Sequence, residues 1–196
     1  MSTRTFLSVL IVAGIFSSCK KTSSTTPETV TKPRVGTIWT YRYKTFDGSG
    51  IVVSTNNIVY KATSAQTLGG EQWINITDSV NATVFLLNVK TGGLYQYANS
   101  ASNLFCKYPA AVNDTYNTYN SGGAETFTVS GVDILVSDAP MDDVKVNRYD
   151  GVKSGNLTDQ VWYNENLWIM KMEKFAPNLM GVYQRNKRWE LLSIVY

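Results

Sequence analysis

Alternation between aromatic and polar side chains is the feature that most restricts the fold of this chain. Residues 39–44 read Trp-Thr-Tyr-Arg-Tyr-Lys, which gives an extended strand one aromatic face and one polar face. Similar short runs, broken by glycine-containing turns, continue to the last residue, and no window of helical length shows a clean 3.6-residue period. The sequence therefore predicts about a dozen antiparallel strands, at residues 39–44, 51–63, 72–78, 83–89, 94–98, 104–108, 125–129, 132–136, 144–149, 160–163, 167–175, 181–185 and 188–196.

The number of strands restricts the architecture further. A twisted open sheet of more than about ten strands curls, splits or closes, and unpaired edges invite aggregation. No repeat of fixed period is visible, which argues against a propeller or a solenoid. We expect an all-β domain whose strands form a curved, partly open barrel, with a β-sandwich as the alternative. The final run, 188–196, is expected to pair inside the sheet.

The first residues are typical of an export signal rather than of a domain. Arg4 precedes an apolar run at 6–16, which is shorter than the roughly 20 residues of a spanning helix, and two small residues precede Cys19. This ending resembles the lipobox of bacterial lipoproteins, which implies that Cys19 is lipidated and begins the mature chain. An ordinary secretory signal with a chance cysteine is the alternative. We therefore expect a signal peptide at 1–18, lipidated Cys19 with a flexible tether at 19–34, and a single β domain at 35–196.

Charge and cysteine content exclude several classes of function. Removing 18 of the 196 residues leaves 178, enough for one domain with a proper core, and the signal takes one of the 18 basic residues but none of the 15 acidic ones. The charge is nearly balanced and the sequence has no cluster of basic residues, which argues against a nucleic-acid-binding protein. With Cys19 committed to lipid, Cys106 is left alone, so no intrachain disulfide forms. We expect Cys106 to be a buried, inert thiol.

The chain contains no histidine, which removes the usual general base and the commonest metal ligand. A zinc or copper site is thereby excluded, no calcium-loop motif is present, and we predict neither a catalytic function nor a cofactor. The doublet Asp142-Asp143 is expected to be a solvated turn, because adjacent strand residues point to opposite faces. The other acids are scattered along the sequence: Asp133, Asp138, Asp159, Glu165, Glu173 and Glu190.

Aromatic and methionine side chains are the remaining candidates for a binding site. Tyr116 and Tyr119 stand among polar residues before a Gly-Gly turn, where they could contact a sugar or a partner, or simply cover the barrel mouth. The second set, in the predicted strands at 160–163 and 167–175, could line an apolar cavity for an acyl chain, with core filling as the alternative. Its members are Trp162, Trp168, Met170 and Met172.

Several segments together resemble a broad group of Bacteroidota lipoproteins. They are Ser-Ser-Cys-Lys-Lys at 17–21, Val-Gly-Thr-Ile-Trp-Thr-Tyr at 35–41, Tyr-Pro at 108–109, Asn-Asp-Thr-Tyr at 113–116 and Val-Trp-Tyr at 161–163. The chain departs from the group's glycines at Asn113 and Leu167. The resemblance implies an outer-membrane-anchored β domain, akin to the half-open barrels of lipoprotein-sorting factors, and it transfers no catalytic residue. Because Cys19 is followed by lysines rather than acids, it also favours an anchor that faces the periplasm, with the cell surface as the alternative.

Two main hypotheses of function follow, both with a membrane contact through the lipid. The first is an envelope binding module that holds a hydrophobic or amphipathic ligand in the barrel. The second is a non-catalytic interaction or glycan-binding protein that uses exposed aromatic loops such as 116–119. A third, a carboxylate hydrolase, needs two acids on one concave face about 5 to 9.5 Å apart.

Overall fold

The computed structural model describes residues 32–120, 123–136 and 143–196. The expected signal peptide, Cys19 and most of the tether lie outside the described residues. Within those ranges every regular element is a strand, and no helix there is long and apolar enough to cross a membrane. The strands are β1 (Ile38–Phe46), β2 (Val52–Leu68), β3 (Glu71–Thr77), β4 (Thr83–Lys90), β5 (Gly92–Ala98), β6 (Ala101–Tyr108), β7 (Thr115–Asn120), β8 (Gly123–Leu135), β9 (Lys145–Lys153), β10 (Asn156–Asn164), β11 (Trp168–Pro177) and β12 (Tyr183–Val195).

The strands form one antiparallel sheet whose order follows the chain around a ring. The order is β6-β5-β4-β3-β2-β1-β12-β11-β10-β9-β8-β7, so β1 pairs with both β2 and β12. The ladder between β1 and β12 runs from Ile38 opposite Val195 to Thr45 opposite Lys187. The result is a nearly closed barrel with one unsealed seam between the edge strands β6 and β7. This confirms the expected all-β, partly open barrel, including the pairing of the last run inside the sheet.

Three strands differ from the pattern predicted by the sequence. The runs at 125–129 and 132–136 join into β8, where bulges on both sides of Gly131 absorb the turn-like residues between them. The runs at 181–185 and 188–196 likewise form the single strand β12. Strand β7 was not predicted, because its residues Thr-Tyr-Asn-Thr-Tyr-Asn carry few apolar side chains. Hydrogen bonding to β8, rather than burial of an apolar face, keeps this segment extended.

Aromatic rings fill the barrel interior. Ring centroids lie 6.5 Å apart for Tyr60 and Phe85, 6.4 Å for Phe85 and Phe105, and 6.1 Å for Phe105 and Phe127, so one chain of contacts reaches across the seam. Gly151 makes room for this packing, because a Cβ there would lie 2.3 Å from Cε1 of Phe127. The core is therefore continuous from β2 to β8.

The two ends of the barrel differ in what they present. In a meander the loops that follow odd-numbered strands lie at one end, and those that follow even-numbered strands lie at the other. We call the end that carries loops 47–51, 154–155 and 178–182 the distal end. The opposite end, where β1 begins and β12 ends, is called the tether end, because the chain leaves it toward residue 19.

Candidate functional site

The structure brings two of the four predicted lining residues together in the aromatic interior. Trp168 is 3% exposed and stacks on Trp39 with centroids 5.6 Å apart, and Met172 lines the same small cavity. Met170 is also buried but does not line this cavity. Trp162 lies on the outer face of the sheet, where the Nζ of Lys171 sits 4.6 Å from its ring.

The apolar cavity in the interior is too small for an acyl chain. It measures about 20 Å³, and about 10 to 15 Å³ is the least that a single water molecule needs. Its wall is formed by Trp39, Tyr41, Tyr60, Ile76, Phe85, Leu87, Trp168, Ile169, Met172 and Trp189. A hydrophobic ligand would therefore have to displace core side chains to enter the barrel here.

Tyr116 and Tyr119 lie on β7 rather than in a loop. Tyr116 packs inside the barrel, 5.9 Å from Phe127 between ring centroids, and its hydroxyl donates a hydrogen bond of 2.8 Å to the carbonyl of Phe105. Tyr119 is half-buried on the same strand. Tyr116 thus has a structural partner across the seam, which agrees with the alternative of a covering residue.

Three further expectations can be compared with the structure. Cys106 is buried, and burial raises the pKa of its thiol well above the usual value, as expected of an inert thiol. Asp143 is exposed in a turn, whereas Asp142 lies outside the described residues. No group of three potential metal-ligating side chains occurs in the part of the chain that the structure describes.

A pair of buried carboxyl groups at the distal end was not predicted. Glu125 on β8 and Asp159 on β10 both point into the barrel and are 4% and 1% exposed. Gly151, on the intervening strand β9, lies directly opposite Asp159, and the ring of Phe127 covers it. Asp159 lies close enough to Glu125 for its charge to raise the pKa of Glu125.

The electrostatic surroundings of the pair favour one shared proton. Burial, followed by the charge of Asp159, raises the pKa of Glu125 to about 7, and Lys174 and Thr158 oppose the shift. The Nζ of Lys174 lies 3.1 Å from Oδ1 of Asp159. The raised pKa of Glu125 favours its protonated form, and Lys174 places a positive charge beside Asp159.

These groups face a pocket of about 290 Å³ that opens to solvent at the distal end. The pocket offers hydrogen-bond donors, acceptors and aromatic surface within one wall. Besides the carboxyl pair, its lining includes Lys153, Thr158, Lys174, Phe175, Ala176, Pro177, Tyr183, Asn186 and Lys187. Lys153 is held over Gly123, since a Cβ at Gly123 would lie 2.1 Å from its Nζ. We call this site the distal pocket.

The distal pocket could not be located from the sequence because its acids are far apart along the chain. Asp159 was one of several scattered acids, and Glu125 begins a predicted strand without a distinguishing motif. Only the pairing of β8, β9 and β10, with bulges in both ladders, brings the two carboxyls together. An acidic residue on the apolar face of a β run is the one signal that could have indicated them.

Comparison of the chain with protein-family models, curated proteins and solved structures gives no match, so no function is transferred from a relative.

Proposed function

We propose that this protein is a lipid-anchored, non-catalytic binding module of the cell envelope, and that its ligand is a glycan or similar hydroxyl-rich molecule bound in the distal pocket. The observation that carries the proposal is the Glu125–Asp159 pair. Burying a carboxyl group costs free energy, so a fold retains such a pair facing a pocket where the pair has a role. Oε2 of Glu125 has no hydrogen-bond partner among the described residues.

The chemistry of the pocket wall suits a sugar. A carboxylate accepts hydrogen bonds, a protonated carboxyl group also donates one, and Lys153 and Lys187 add donors at the rim. Phe175 and Tyr183 add apolar surface beside these polar groups. Pockets of this kind combine a few convergent polar groups with apolar walls, and a volume near 300 Å³ is at the lower end of the usual range.

The distal pocket lies at the end of the barrel opposite the expected membrane anchor. The chain enters β1 at the tether end, and about 13 residues separate Cys19 from Lys32, which span at most about 45 Å. A lipid on Cys19 would keep the tether end nearest the membrane. The distal pocket would then face away from the membrane, toward soluble or polymeric ligands.

The other two hypotheses receive less support from the geometry. Inside the barrel, the apolar cavity beside Trp39 and Trp168 measures about 20 Å³, which is too small for a hydrophobic ligand. Glycoside hydrolysis requires carboxyl groups about 5 to 9.5 Å apart, with the substrate or a water between them. Glu125 and Asp159 are both buried, and the charge of Asp159 acts directly on Glu125, which favours one joint acidic group over two acids on either side of a substrate.

The test is a binding screen with the full-length chain in neutral detergent. Neutral and acidic oligosaccharides are titrated into the wild type, Glu125→Gln, Asp159→Asn and the exposed control Asp143→Asn. We expect at least one oligosaccharide to bind, Asp159→Asn to weaken binding by about tenfold or more, and Asp143→Asn to leave binding unchanged.

Two results would contradict the proposal. If no oligosaccharide binds, or if Asp159→Asn binds as the wild type does, the distal pocket is not a glycan site. Native mass spectrometry of the same preparation adds a check on the first hypothesis. A stoichiometric lipid bound to the domain would show that the core opens to admit a hydrophobic ligand.

A further inference from the structure

The outer face of β1, β11 and β12 holds two buried carboxylates under a group of basic side chains. Glu173 and Glu190 are 1% and 0% exposed, although they point away from the barrel interior. We call these two acids and the basic residues in contact with them the cationic cluster; the basic residues are Arg42, Lys44, Lys171, Arg185 and Arg188. Five positive charges against two negative ones leave an excess of three.

The sheet register explains why these charges converge. Glu190 lies directly opposite Arg42 on β1 and opposite Lys171 on β11. Arg188 in turn lies opposite Lys44 and Glu173, and it contacts both carboxylates, at 2.8 Å to Glu173 and 3.2 Å to Glu190. The cluster is thus a rigid cross-strand arrangement and not a chance meeting of flexible surface side chains.

Arg185 is held in place by an ion pair and a ring contact, whereas Arg42 is a more loosely paired, partly exposed cation. Arg185 contacts Glu173 through Nε at 2.6 Å, and Arg42 approaches Glu190 through Nε at 3.8 Å. Both side chains are 36% exposed, and their terminal nitrogens meet no acceptor among the described residues. The ring of Phe46 supports Arg185, with Cζ 5.6 Å from its centroid. Such a guanidinium group is prepared for a second anion at little entropic cost.

Lys171 is the most deeply buried cation of the cluster, with its side chain 8% exposed. Burial lowers the pKa of Lys171, and the neighbouring charge of Arg188 lowers it further, although Glu173 and Glu190 act in the opposite direction. An anion bound to the cluster would reduce this repulsion among the cations. The same reasoning predicts little affinity for a neutral ligand.

We propose that the cationic cluster binds a phosphate-bearing ligand through Arg42, Lys44 and Arg185. Phosphate fits because guanidinium forks bind its oxygens in pairs, and because its charge matches the excess of the cluster. The phosphate could belong to a soluble phosphorylated sugar or to a lipid headgroup. This site lies on the outer face, so it does not depend on the distal pocket.

The experiment compares a soluble probe and a lipid probe that both contain a glycerol phosphate unit. The full-length chain in neutral detergent is titrated calorimetrically with glycerol 1-phosphate and, separately, with phosphatidylglycerol in the same detergent, at low and at moderate salt. We expect at least one probe to bind, with affinity that falls as salt rises. The double variant Arg42→Gln/Arg185→Gln should bind about tenfold more weakly or worse.

Control variants separate a site from a general charge effect. Lys61→Gln/Lys145→Gln removes the same charge from exposed positions outside the cluster and should bind as the wild type does. Arg185→Lys retains the charge but not the fork, and should weaken binding less than the double variant. Near-ultraviolet circular dichroism checks that each variant is folded.

The binding results for the two probes identify the source of the phosphate. Binding of both probes assigns the site to the phosphate group itself, and binding of the lipid alone assigns it to a membrane surface. The proposal is overturned if the wild type binds neither probe, or if the Lys61→Gln/Lys145→Gln control loses as much affinity as the arginine double variant.

Discussion

Strands β1 and β12 close one side of the barrel through backbone hydrogen bonds, whereas β6 and β7 face each other through side chains. The β1–β12 ladder pairs eight residues of β1 and has one irregularity, between Thr40 and Tyr41. Inside the ladder Tyr43 packs on Trp189 with centroids 4.9 Å apart, and outside it the cationic cluster joins the same strands. Backbone hydrogen bonds, interior ring packing and outer-face ion pairs therefore all join β1 to β12.

The seam between β6 and β7 uses different means. Carbonyl groups of β6 accept hydrogen bonds from tyrosine hydroxyl groups on the other side of the seam. Tyr116 donates to the carbonyl of Phe105 at 2.8 Å, and Tyr149 donates to the carbonyl of Lys107 at 2.5 Å. An ion pair of 2.9 Å between Lys107 and Asp114 spans the turn from β6 to β7. Side chains thus replace the missing ladder at the tether end of the seam.

The difference shows where the barrel opens most easily. A ladder gains cooperatively from consecutive hydrogen bonds, while isolated hydroxyl contacts can be lost one at a time. These contacts also protect the edge of β6 from pairing with a strand of another chain, because its carbonyl groups already accept hydrogen bonds. We therefore expect hydrogen exchange to be faster at β6 and β7 than at β1 and β12. The predictions below perturb the two junctions in turn.

Glu190→Ala should have the largest effect, because it acts on the ladder side. The substitution leaves Arg42, Lys44 and Arg188 without the buried carboxylate that they share. Breaking a buried ion pair by removing one partner costs about 3–5 kcal/mol of unfolding free energy. Urea denaturation measures this loss.

The matched control for that change is Glu71→Ala. Glu71 pairs with Lys90 at 2.8 Å, but its side chain is 40% exposed, so its removal should cost less than about 1 kcal/mol. Equal losses in the two variants would show that the cationic cluster does not reinforce the β1–β12 junction.

The next largest effect should be the pH dependence of stability that comes from Glu125. This residue lies on β8, the strand that pairs with the edge strand β7. In the unfolded chain its pKa is near 4.5, and in the folded protein it is about 7, so the folded state binds the proton more tightly. The stabilising contribution of this group is therefore complete below about pH 4.5 and is lost as pH rises through 7, a change of about 3 kcal/mol. The absence of histidine keeps this window free of the usual titrating side chain.

Urea unfolding at pH 5 and pH 8 tests this effect. Glu125→Gln cannot ionise, so its difference in stability between the two pH values should be smaller than that of the wild type. A variant that loses as much stability between those pH values as the wild type would show that Glu125 is ionised in the fold at neutral pH.

Tyr149→Phe should cost less, because it removes one contact across the seam. The variant leaves the carbonyl of Lys107 without its hydroxyl donor while the ring remains in the core. An unsatisfied, partly buried acceptor costs about 1–2 kcal/mol, and the amides of β6 should exchange faster with solvent. Tyr163→Phe is the control, since no described residue accepts a hydrogen bond from its hydroxyl. A similar loss in both variants would point to ring packing rather than to the seam bond.

The ladder side of the barrel was largely predictable from the sequence, and the seam was not. Residues 39–44 show strict alternation, and the final run has both an aromatic face and a charged face, so their extended structure follows from local pattern. Strand β7 has no such pattern, because its extended form depends on hydrogen bonds to β8 that join residues brought together by a hairpin.

The candidate sites could not be predicted for the same physical reason. Glu125 and Asp159, like Glu190 and Arg42, become neighbours through strand register, and bulges in these strands shift that register by a residue. The aromatic residues were recognised as wall or core. Their role as donors to edge carbonyls, as in Tyr116 and Tyr149, requires the position of the seam.

Asn103→Ala should have the smallest effect, because it acts at the distal end of the seam, where water can replace the lost contacts. The side-chain amide of Asn103 donates to the carbonyls of Ala98 and Ala101, each at 2.9 Å, and Ala101 is exposed. Water satisfies an exposed carbonyl, so the loss should be about 0.5 kcal/mol or less by urea denaturation. A loss as large as that of Tyr149→Phe would mean that the whole length of β6 is stabilised by side-chain caps. A small loss, with faster exchange confined to the first residues of β6, would place the stabilising contacts of the seam at Phe105 and Lys107.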